Sequence, residues 1–550
     1  MRSWRWFSFF RAASVRRHDD EEDGVALVPT TTSPAPARRL AEDDDSCRAV
    51  GAVPQPTSSS ANKPRTMLVP TWGAVVLFLL GGLAASPCSR SPAPPPARGS
   101  NSTQSFLLGS GRGGHGRHHH RARSSGIPIP FTCNNGTSLT CRRTDDSASP
   151  PSPPVEPPSS SAPPPPSCPD YFRYIHSDLS PWRATGITRE AVERGRDLAH
   201  FRLVVLGGGA SSSCCLLARY PGRVPDLDLM FQCGDTPVVR AADFPRRSDA
   251  PPLFRYCKDA DGGATLDVLF PDWSFWDWPE VNIRPWAPFL AAAARENRRV
   301  PWPARQPYAF WKGNADVSPA RADLLRCNAS STCGVDWNAR LFRQDWAAAE
   351  REGFRDTDDP ARQCAYRYKI YVDGRAWSVS LKYILACDSP ALLVDTRFRD
   401  FFSRGLVAGR HYWPVDAARK CAAIRLAVDW GNAHPAAAAR MGREGSGFAR
   451  EELAMENVYD YMLHVLTEYA RLLRYKPTVP ENAVELCSEH VACPTGARAR
   501  EFMMESRERH VADYEPCTLP PPFTAEEIRE MARWEDDVRS EIRKMENQSN

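Results

Sequence analysis

One arginine of this chain lies where a helix disfavours it. In VSPARADLL, 317–325, Ser318 is a favourable N-cap and Pro319 suits the first helical turn, so a helix is predicted to begin there. Arg321 then falls in the first turn, whose positive partial charge disfavours a cation by about 0.5 kcal/mol. A bound anion would reverse this effect, because helix N-terminal amides and arginine both bind phosphate. An ion pair between Arg321 and a nearby carboxylate is the alternative.

Two neighbouring stretches extend this predicted anion site. Lys312 and the glycine after it stand just before the helix, so the lysine, backbone amides and Arg321 are expected to converge on one anion. A second stretch of the same kind is VDGRAWSVSLKYILACDS. There a strand is predicted to end at Gly374, and either Ser378 or Ser380 can start the following helix.

The segment DLDLMFQCGDTP, 226–237, offers carboxylates of two kinds. Asp226 and Asp228 form a D-x-D, a pattern by which many nucleotide-sugar enzymes hold a divalent cation. They also lead into an apolar strand, whose solvent-facing edge explains them equally well. Asp235 follows the end of that strand, where parallel α/β sheets bind their ligands. A carboxylate at this place can act as a general base.

Aromatic residues crowd the segment PDWSFWDWPEVNIRPW, 271–286, among prolines and charges. The segment shows neither helix nor strand periodicity, which predicts an irregular loop. Aromatic rings on such a loop suit the faces of sugars or the surface of a peptide. The alternative is an aromatic cluster packed beneath a long loop.

The elements that must position these residues alternate along the chain. Between strand-like runs lie the helical patterns DWAAAEREGF, SLKYILAC and NVYDYMLHVLTEYARLL. This alternation predicts an α/β fold with parallel sheets. A last helix, with a capping box formed by Thr524 and Glu527, is expected near the C-terminus. The predicted strands are FRLVVL (201–206), DLDLMFQC (226–233), YRYKIYVDG (366–374) and ALLVDT (391–396).

Length and composition narrow the class of protein. A chain of 550 residues exceeds what one core usually serves, so two domains with additional segments are expected. The net charge of +4 argues against a protein dedicated to nucleic acid. The 17 cysteines include no C-x-x-C pair, which argues against a zinc module.

A membrane anchor is predicted near the N-terminus. Residues 66–86, TMLVPTWGAVVLFLLGGLAAS, carry no charge, and about 20 apolar residues span a bilayer. The polar residues 1–65 are then a disordered cytosolic tail. Residues 87–167, rich in proline and serine, are expected to form an extended stem that leads to the ordered part of the chain.

Sequons and cysteines indicate on which side of the membrane the larger part lies. The sequons all follow the predicted anchor, and so do all cysteines except Cys47. An oxidising, glycosylating lumen suits both features, so the C-terminal part is expected to be luminal. The sequon asparagines are Asn101, Asn135, Asn328 and Asn547.

Taken together, these stretches resemble glycosyltransferase family 90, the CAP10-like group that contains the Rumi-type protein O-glucosyltransferases. The resemblance runs in order from about Cys168 to Pro522 and looks closest to plant-type members. It implies a catalytic region over 168–522, followed by a C-terminal helix over 523–550. The residues that carry it are DLDLMFQCGDTP, FPDWSFWDWPEVNIRPW, PYAFWKGNADVSPARADLL, CAYRYKIYVDGRAWSVSLKYILACDSPALLVD and FFSRGLVAGRHYWPV.

The resemblance implies a fold and a reaction. The fold is GT-B, with two Rossmann-like domains facing a cleft. The reaction is inverting transfer of glucose or xylose from UDP-glucose or UDP-xylose to a protein or polysaccharide acceptor, with no metal and no cofactor. The protein would be a single-pass type II protein of the Golgi or endoplasmic reticulum membrane. A catalytically inactive relative that keeps the fold and binds glycan or protein is the alternative.

The resemblance also implies roles for particular residues. Asp235 is similar in position to the family's catalytic base. Lys382 is a possible replacement for an arginine that animal members carry where Ser380 stands. The residues matching the two donor-binding stretches are Lys312, Gly313, Asn314, Ser318, Arg321, Trp377, Ser378 and Ser380. The rings expected to line the sugar and acceptor cleft are Trp273, Phe275 and Trp276.

Overall fold

The computed structural model describes most of the chain from residue 165 onward. The described residues are 126–129, 131–133, 165–207, 215–260, 263–328, 335–485, 488–493 and 495–549. No helix within these ranges combines the length and the apolar character that crossing a bilayer requires. The predicted cytosolic tail, 1–65, and the predicted anchor, 66–86, lie outside the described residues.

Strands and helices alternate along the described chain, so the prediction of a mixed α/β fold is confirmed. The strands are Phe201–Val205 (β1), Leu227–Phe231 (β2), Leu253–Arg255 (β3), Lys258–Asp259 (β4), Val268–Leu269 (β5), Gln306–Gly313 (β6), Ala339–Arg343 (β7), Tyr366–Tyr371 (β8), Ala391–Val394 (β9), Phe398–Arg399 (β10) and Tyr412–Val415 (β11). The helices are Tyr174–Asp178 (α1), Arg189–Glu193 (α2), Cys215–Arg219 (α3), Trp286–Arg299 (α4), Pro319–Leu324 (α5), Trp346–Arg351 (α6), Ser380–Leu385 (α7), Lys420–Ala433 (α8), Pro435–Gly447 (α9), Met455–Leu472 (α10), Ser488–Ala492 (α11), Ala497–Ser506 (α12) and Ala525–Ser549 (α13).

The larger sheet has five strands in the order β11-β9-β8-β6-β7, and every neighbouring pair is parallel. Strands β9 and β11 are buried along their whole length, as expected when helices cover both sides of a parallel sheet. Along β8, Tyr368 and Ile370 pack into one hydrophobic cluster, and Tyr371 packs into the other. The period of two in the sequence therefore places a core on each side of this sheet.

The smaller sheet has four strands in the order β1-β2-β3-β5. Strands β2, β3 and β5 are parallel, but β1 pairs with β2 antiparallel, so the expectation of purely parallel sheets is wrong for this edge. The antiparallel register sets Phe201 opposite Phe231, whose rings stack with centroids 5.3 Å apart. The short strands β4 and β10 pair antiparallel. Strand β4 lies in the part of the sequence that forms the smaller sheet, and β10 lies in the part that forms the larger sheet.

Helix α10 packs an apolar stripe into the core that covers the smaller sheet. Val458, Tyr461, Val465 and Tyr469 recur at helical spacing and are fully buried. The Tyr469 hydroxyl donates to the carbonyl oxygen of Asp228 in β2 at 3.0 Å. The helix thus fixes the strand whose end carries Asp235.

Four disulfide bonds join described cysteines, which confirms the expectation of disulfide chemistry. They are Cys133–Cys493, Cys168–Cys517, Cys327–Cys421 and Cys364–Cys387. The first includes a residue of the predicted stem, and Ile129 of the same segment donates its N–H to the carbonyl oxygen of Arg509 at 2.8 Å. Part of the predicted stem therefore lies against the folded region.

The C-terminal helix α13 begins with the predicted capping box. The N–H of Thr524 donates to Glu527 Oε2 at 2.7 Å, and the N–H of Glu527 donates to Thr524 Oγ1 at 3.2 Å. Further along, Arg539 pairs with Asp395 at 2.6 Å, and Ile542 is buried in the core beside the larger sheet. This helix packs on the folded region rather than extending away from it.

Candidate active site

Arg321 reaches from the first turn of α5 across the carboxyl ends of β6 and β8. Its Nε donates to the carbonyl oxygen of Asp373 at 3.1 Å, and its Nη2 donates to Ser378 Oγ at 2.9 Å. Nη1 lies 3.4 Å from the carbonyl oxygen of Asn314. Among the described residues no carboxylate forms an ion pair with this guanidinium. Its partners are neutral, so its charge is left uncompensated at hydrogen-bonding distance.

Ser318 starts α5 as predicted. Its Oγ accepts from the N–H of Arg321 at 3.4 Å and donates to the carbonyl oxygen of Asp373 at 3.3 Å. The cap thus ties the start of α5 to the loop that follows β8. The indole of Trp311, in β6, lies beneath the guanidinium, with 6.0 Å between Arg321 Cζ and the ring.

Two glycines make room for this arrangement. A Cβ atom on Gly313, the last residue of β6, would lie 2.8 Å from the Trp311 ring. A Cβ atom on Gly374 would lie 2.8 Å from the carbonyl oxygen of Trp377 and 3.6 Å from Arg321 Nη2. The backbone after β8 therefore folds back tightly only because residue 374 has no side chain.

The loop after β8 presents a pair of hydroxyl groups beside Arg321. Ser378 Oγ and Ser380 Oγ lie 2.9 Å apart, and the Ser378 N–H donates to the Tyr371 hydroxyl at 3.1 Å. Helix α7 begins at Ser380, one of the two starts that the sequence left open. The structure thus brings Ser318, Arg321 and Ser378 together as one polar group.

Asp235 lies in the loop after β2, as the sequence predicted, and its side chain is partly exposed. Burial raises the pKa of its carboxyl group above the ordinary value. The charges of Arg375, Arg255 and Arg321 oppose that rise. The candidate base and the candidate anion site are therefore within electrostatic reach of each other.

The ring of Trp273 lies between Tyr256, which follows β3, and Trp377, in the loop after β8. Its ring centroid lies 5.3 Å from that of Tyr256 and 6.1 Å from that of Trp377, which is itself nearly buried. Trp273 is partly exposed and occupies the short helical turn after β5. Of the three rings predicted to line the cleft, it is the one that a ligand can reach.

Phe275 and Trp276 lie in the core instead. Phe275 is 1 % exposed and packs against Phe401, and Trp276 is 2 % exposed and donates its indole N–H to the Tyr459 hydroxyl at 2.9 Å. Neither ring is exposed to a ligand in this structure. The turn exposes Trp273 in part and buries the two rings that follow it, which the crowding of aromatic residues in the sequence did not reveal.

Both lysines predicted to bind the donor are engaged elsewhere. Strand alternation turns Lys312 away from Arg321, and its Nζ binds Asp358 Oδ1 at 2.8 Å. Lys382 is 1 % exposed, and its Nζ binds Ser274 Oγ at 2.6 Å and Asp272 Oδ2 at 3.2 Å. The Lys382 pair ties α7 to the turn that carries Trp273, which is a supporting role.

The D-x-D carboxylates are occupied by protein donors. Asp226 Oδ1 accepts from the N–H of Gly207 at 2.7 Å. Asp228 is fully buried, receives a two-pronged contact from Arg202 at 2.7 and 2.6 Å, and also accepts from the Tyr475 hydroxyl at 2.9 Å. These oxygens stabilise the smaller sheet, which the solvent-edge interpretation did not anticipate for Asp228.

Sequence reasoning missed other residues of the site. Burial raises the pKa of Asp373 to about 7, and its Oδ1 is a buried oxygen without a hydrogen-bonding partner among the described residues. Asp373 follows the end of β8 much as Asp235 follows the end of β2, and that shared position was the available signal. Trp311, Arg255 and Arg375 carried no comparable signal, because their roles depend on tertiary neighbours.

This chain is similar to a known protein family and to individual proteins of known name. Residues 164–546 match the family model described as "Glycosyl transferase family 90". O-glucosyltransferase rumi of Drosophila melanogaster is 24% identical over 333 residues, covering 56% of this chain and 78% of the relative. Protein O-glucosyltransferase 1 of Homo sapiens is 25% identical over 340 residues, covering 57% of this chain and 82% of the relative.

Proposed function

The chain belongs to glycosyltransferase family 90, and from this membership we propose that it is an inverting, metal-independent enzyme acting on a UDP-sugar. It would move glucose or xylose to a hydroxyl group of a protein or glycan acceptor. The observation that carries the proposal concerns the Arg321 guanidinium, whose hydrogen-bond partners among the described residues are all neutral and which lies within electrostatic reach of the Asp235 carboxylate. The names of the relatives, which are O-glucosyltransferases, support glucose and a protein acceptor.

In this proposal Arg321 binds the diphosphate of the donor. Charge builds on the diphosphate as the sugar leaves, and a cation fixed in place stabilises it more than a solvated one does. The neutral partners of Arg321 fix its orientation without cancelling its charge. The hydroxyl groups of Ser318, Ser378 and Ser380 add hydrogen-bond donors at the same edge of the larger sheet.

Asp235 acts as the general base. Its carboxylate accepts the proton of the acceptor hydroxyl while the acceptor oxygen attacks the anomeric carbon and the bond to UDP breaks. Attack opposite to the leaving group inverts the anomeric centre. The raised pKa that burial gives the Asp235 carboxyl strengthens it as a proton acceptor.

The donors bound to the D-x-D carboxylates support a reaction without a metal. Arg202 and Tyr475 bind Asp228, and the Gly207 amide binds Asp226, so a divalent cation would have to displace these contacts. Charge neutralisation by Arg321 makes the cation unnecessary in this mechanism.

The two sheets support a GT-B arrangement, with the four-stranded sheet in the acceptor half and the five-stranded sheet in the donor half. The four disulfide bonds support an oxidising lumen. With the predicted anchor at 66–86, these features favour a type II membrane protein of the Golgi or endoplasmic reticulum.

A donor screen on the full chain tests the proposal. UDP release would be measured with UDP-glucose, UDP-xylose and other UDP-sugars, each with a panel of protein and glycan acceptors and with or without EDTA. We expect acceptor-dependent UDP release that survives EDTA, with glucose or xylose as the transferred sugar. Saturable UDP binding without release from any donor would instead identify an inactive relative, and loss of activity in EDTA would overturn the metal-free mechanism.

A further inference from the structure

The loop that carries Asp235, residues 232–239, is held by hydrogen bonds to the buried side chains of Cys257 and Asp267 and to the half-buried His200, and we name it the base loop. The thiol of Cys257 donates to the carbonyl oxygen of Asp235 at 3.1 Å. The carboxylate of Asp267 accepts from the N–H of Val238 at 3.1 Å. His200 Nδ1 accepts from the N–H of Cys233 at 3.0 Å at the start of the loop. These hydrogen bonds restrain the base loop at three points along its length.

Arg255, at the end of β3, lies directly behind the base loop. The residue is 0 % exposed, and a Cβ atom built on Gly234 would lie 3.5 Å from its Nη1. Gly234 immediately precedes Asp235, so the guanidinium approaches the base from the interior of the protein. Its charge acts on the Asp235 carboxyl group, as do those of Arg321 and Arg375.

This guanidinium is not satisfied by its neighbours. Its Nε, Nη1 and Nη2 have no hydrogen-bonding partner among the described residues. Asp267 Oδ1 lies 3.8 Å from Arg255 Nε, which is beyond hydrogen-bonding distance, and that carboxylate already accepts from the base loop. A buried cation without hydrogen bonds is costly to folding, and the 3.8 Å contact with Asp267 does not supply any, so a purely structural pair with Asp267 is a poor explanation for Arg255.

We propose that Arg255 is a positioning residue for the Asp235 base: its buried positive charge, placed behind the base loop, favours the ionised form of the Asp235 carboxylate. The inference rests on the proposed function, in which Asp235 accepts the proton. In this inference Arg321 binds the donor and Arg255 acts on the base, although the charges of both arginines act on the Asp235 carboxylate.

Other charged groups around the two side chains must be separated from this effect. Burial lowers the pKa of His200 to about 4 and raises that of Cys233 to about 12, so both stay neutral between pH 5 and 8. Burial raises the pKa of Asp267 to about 6, so this group does titrate in that range. The groups that face Asp235 are Arg255, Arg321, Arg375 and Cys257. Those that face Arg255 are Asp235, Asp267, Cys233, Cys257, Tyr256 and His200, and burial keeps the Tyr256 hydroxyl and the Cys257 thiol neutral by raising the pKa of each.

The first test is the pH profile of kcat/KM for the full chain, its Arg255→Met variant and its Arg255→Lys variant. The base must be ionised, so activity falls as the pH falls through its pKa. Removing the cation in Arg255→Met raises that pKa, and we expect the acid limb to move up by about one pH unit. Arg255→Lys keeps a positive charge, so the acid limb of its kcat/KM profile should stay close to the wild-type position. UDP affinity should stay within about twofold of wild type in both variants. An unmoved limb with a uniform loss of activity would overturn the proposal.

A second test needs no catalysis. A double-mutant cycle of urea unfolding would use Asp235→Asn, Arg255→Met and the double variant, at pH 8 and at pH 4.5. We expect a favourable coupling of about fivefold in the unfolding equilibrium constant at pH 8, reduced as Asp235 becomes protonated at the lower pH. The cycle cancels the titration of Asp267, which is present in all four proteins.

The two tests separate the two proposals. Absence of coupling at pH 8 would overturn the role of Arg255 even if the enzyme turns over. Coupling at pH 8 in a protein that transfers no sugar would instead retain the pairing of Arg255 with Asp235 and overturn the proposed function alone.

Discussion

The loop after β8 and the base loop after β2 both follow a parallel strand, yet they treat charge in opposite ways. At the first, Arg321 meets carbonyl and hydroxyl oxygens and no carboxylate among the described residues. At the second, the Asp235 carboxylate stands within reach of three arginine charges, including that of Arg255. In the proposed mechanism the larger sheet therefore binds the anion, and the smaller sheet supplies the proton acceptor. Binding and proton transfer should therefore respond to different mutations.

The cations themselves show the same contrast. Lys312 and Lys382 lie in the two predicted donor stretches, but each binds a carboxylate, Asp358 and Asp272 respectively. Arg321 lies between them in the sequence, and no carboxylate in the described part of the chain pairs with it. A basic residue near a phosphate-binding stretch is therefore weak support for a contact with phosphate until its own partners are known.

The largest expected effect is on the side of the smaller sheet. Asp235→Asn keeps the size of the side chain but removes the proton acceptor, so kcat should fall about 10³-fold. UDP affinity, measured by titration calorimetry, should stay within about twofold, because the donor site belongs to the other sheet. A large loss of UDP binding in this variant would break the separation between the two loops.

A smaller effect is expected on the side of the larger sheet. Arg321→Ala removes a charged hydrogen-bond donor to the diphosphate, which should weaken UDP binding about 30-fold. Arg321→Lys is the matched control: it keeps the charge but loses the planar fork, so it should recover only part of the affinity. If UDP binding were unchanged in Arg321→Ala, the diphosphate would have to lie elsewhere.

The smallest effect on binding is expected at Lys312. Lys312→Met removes a cation that is paired with the nearly buried Asp358, so UDP affinity should change less than about twofold. Stability should fall by about 3 kcal/mol, because Asp358 is left without its partner, and urea unfolding would measure this loss. A strong loss of UDP binding with unchanged stability would restore the direct donor role that the sequence suggested.

Local patterns predicted much of the fold. The runs at 201–206, 226–233, 366–374 and 391–396 each contain a strand of the structure, and α5 begins at the predicted cap. These features depend on residues close in sequence, where period, cap chemistry and turn residues act directly. The antiparallel edge strand β1 could not be foreseen, because strand order depends on contacts between distant segments.

For the candidate site, too, the sequence was informative only where the signal is local. Arg321 and Asp235 were found because each lies in an unusual local place, one at the wrong end of a helix and one just past a strand. The pairing of Lys312 with Asp358, 46 residues away, and of Lys382 with Asp272, 110 residues away, left no local signal. Arg255 was missed for the same reason.

The cross-links Cys133–Cys493 and Cys168–Cys517 span 360 and 349 residues and join the beginning of the folded region to its C-terminal segments. A force applied to the chain on its N-terminal side would therefore be transmitted through these two disulfide bonds to the C-terminal segments before it reached any strand of either sheet. The disulfide bonds would carry this tension, and the relative position of Arg321 and Asp235 would not change.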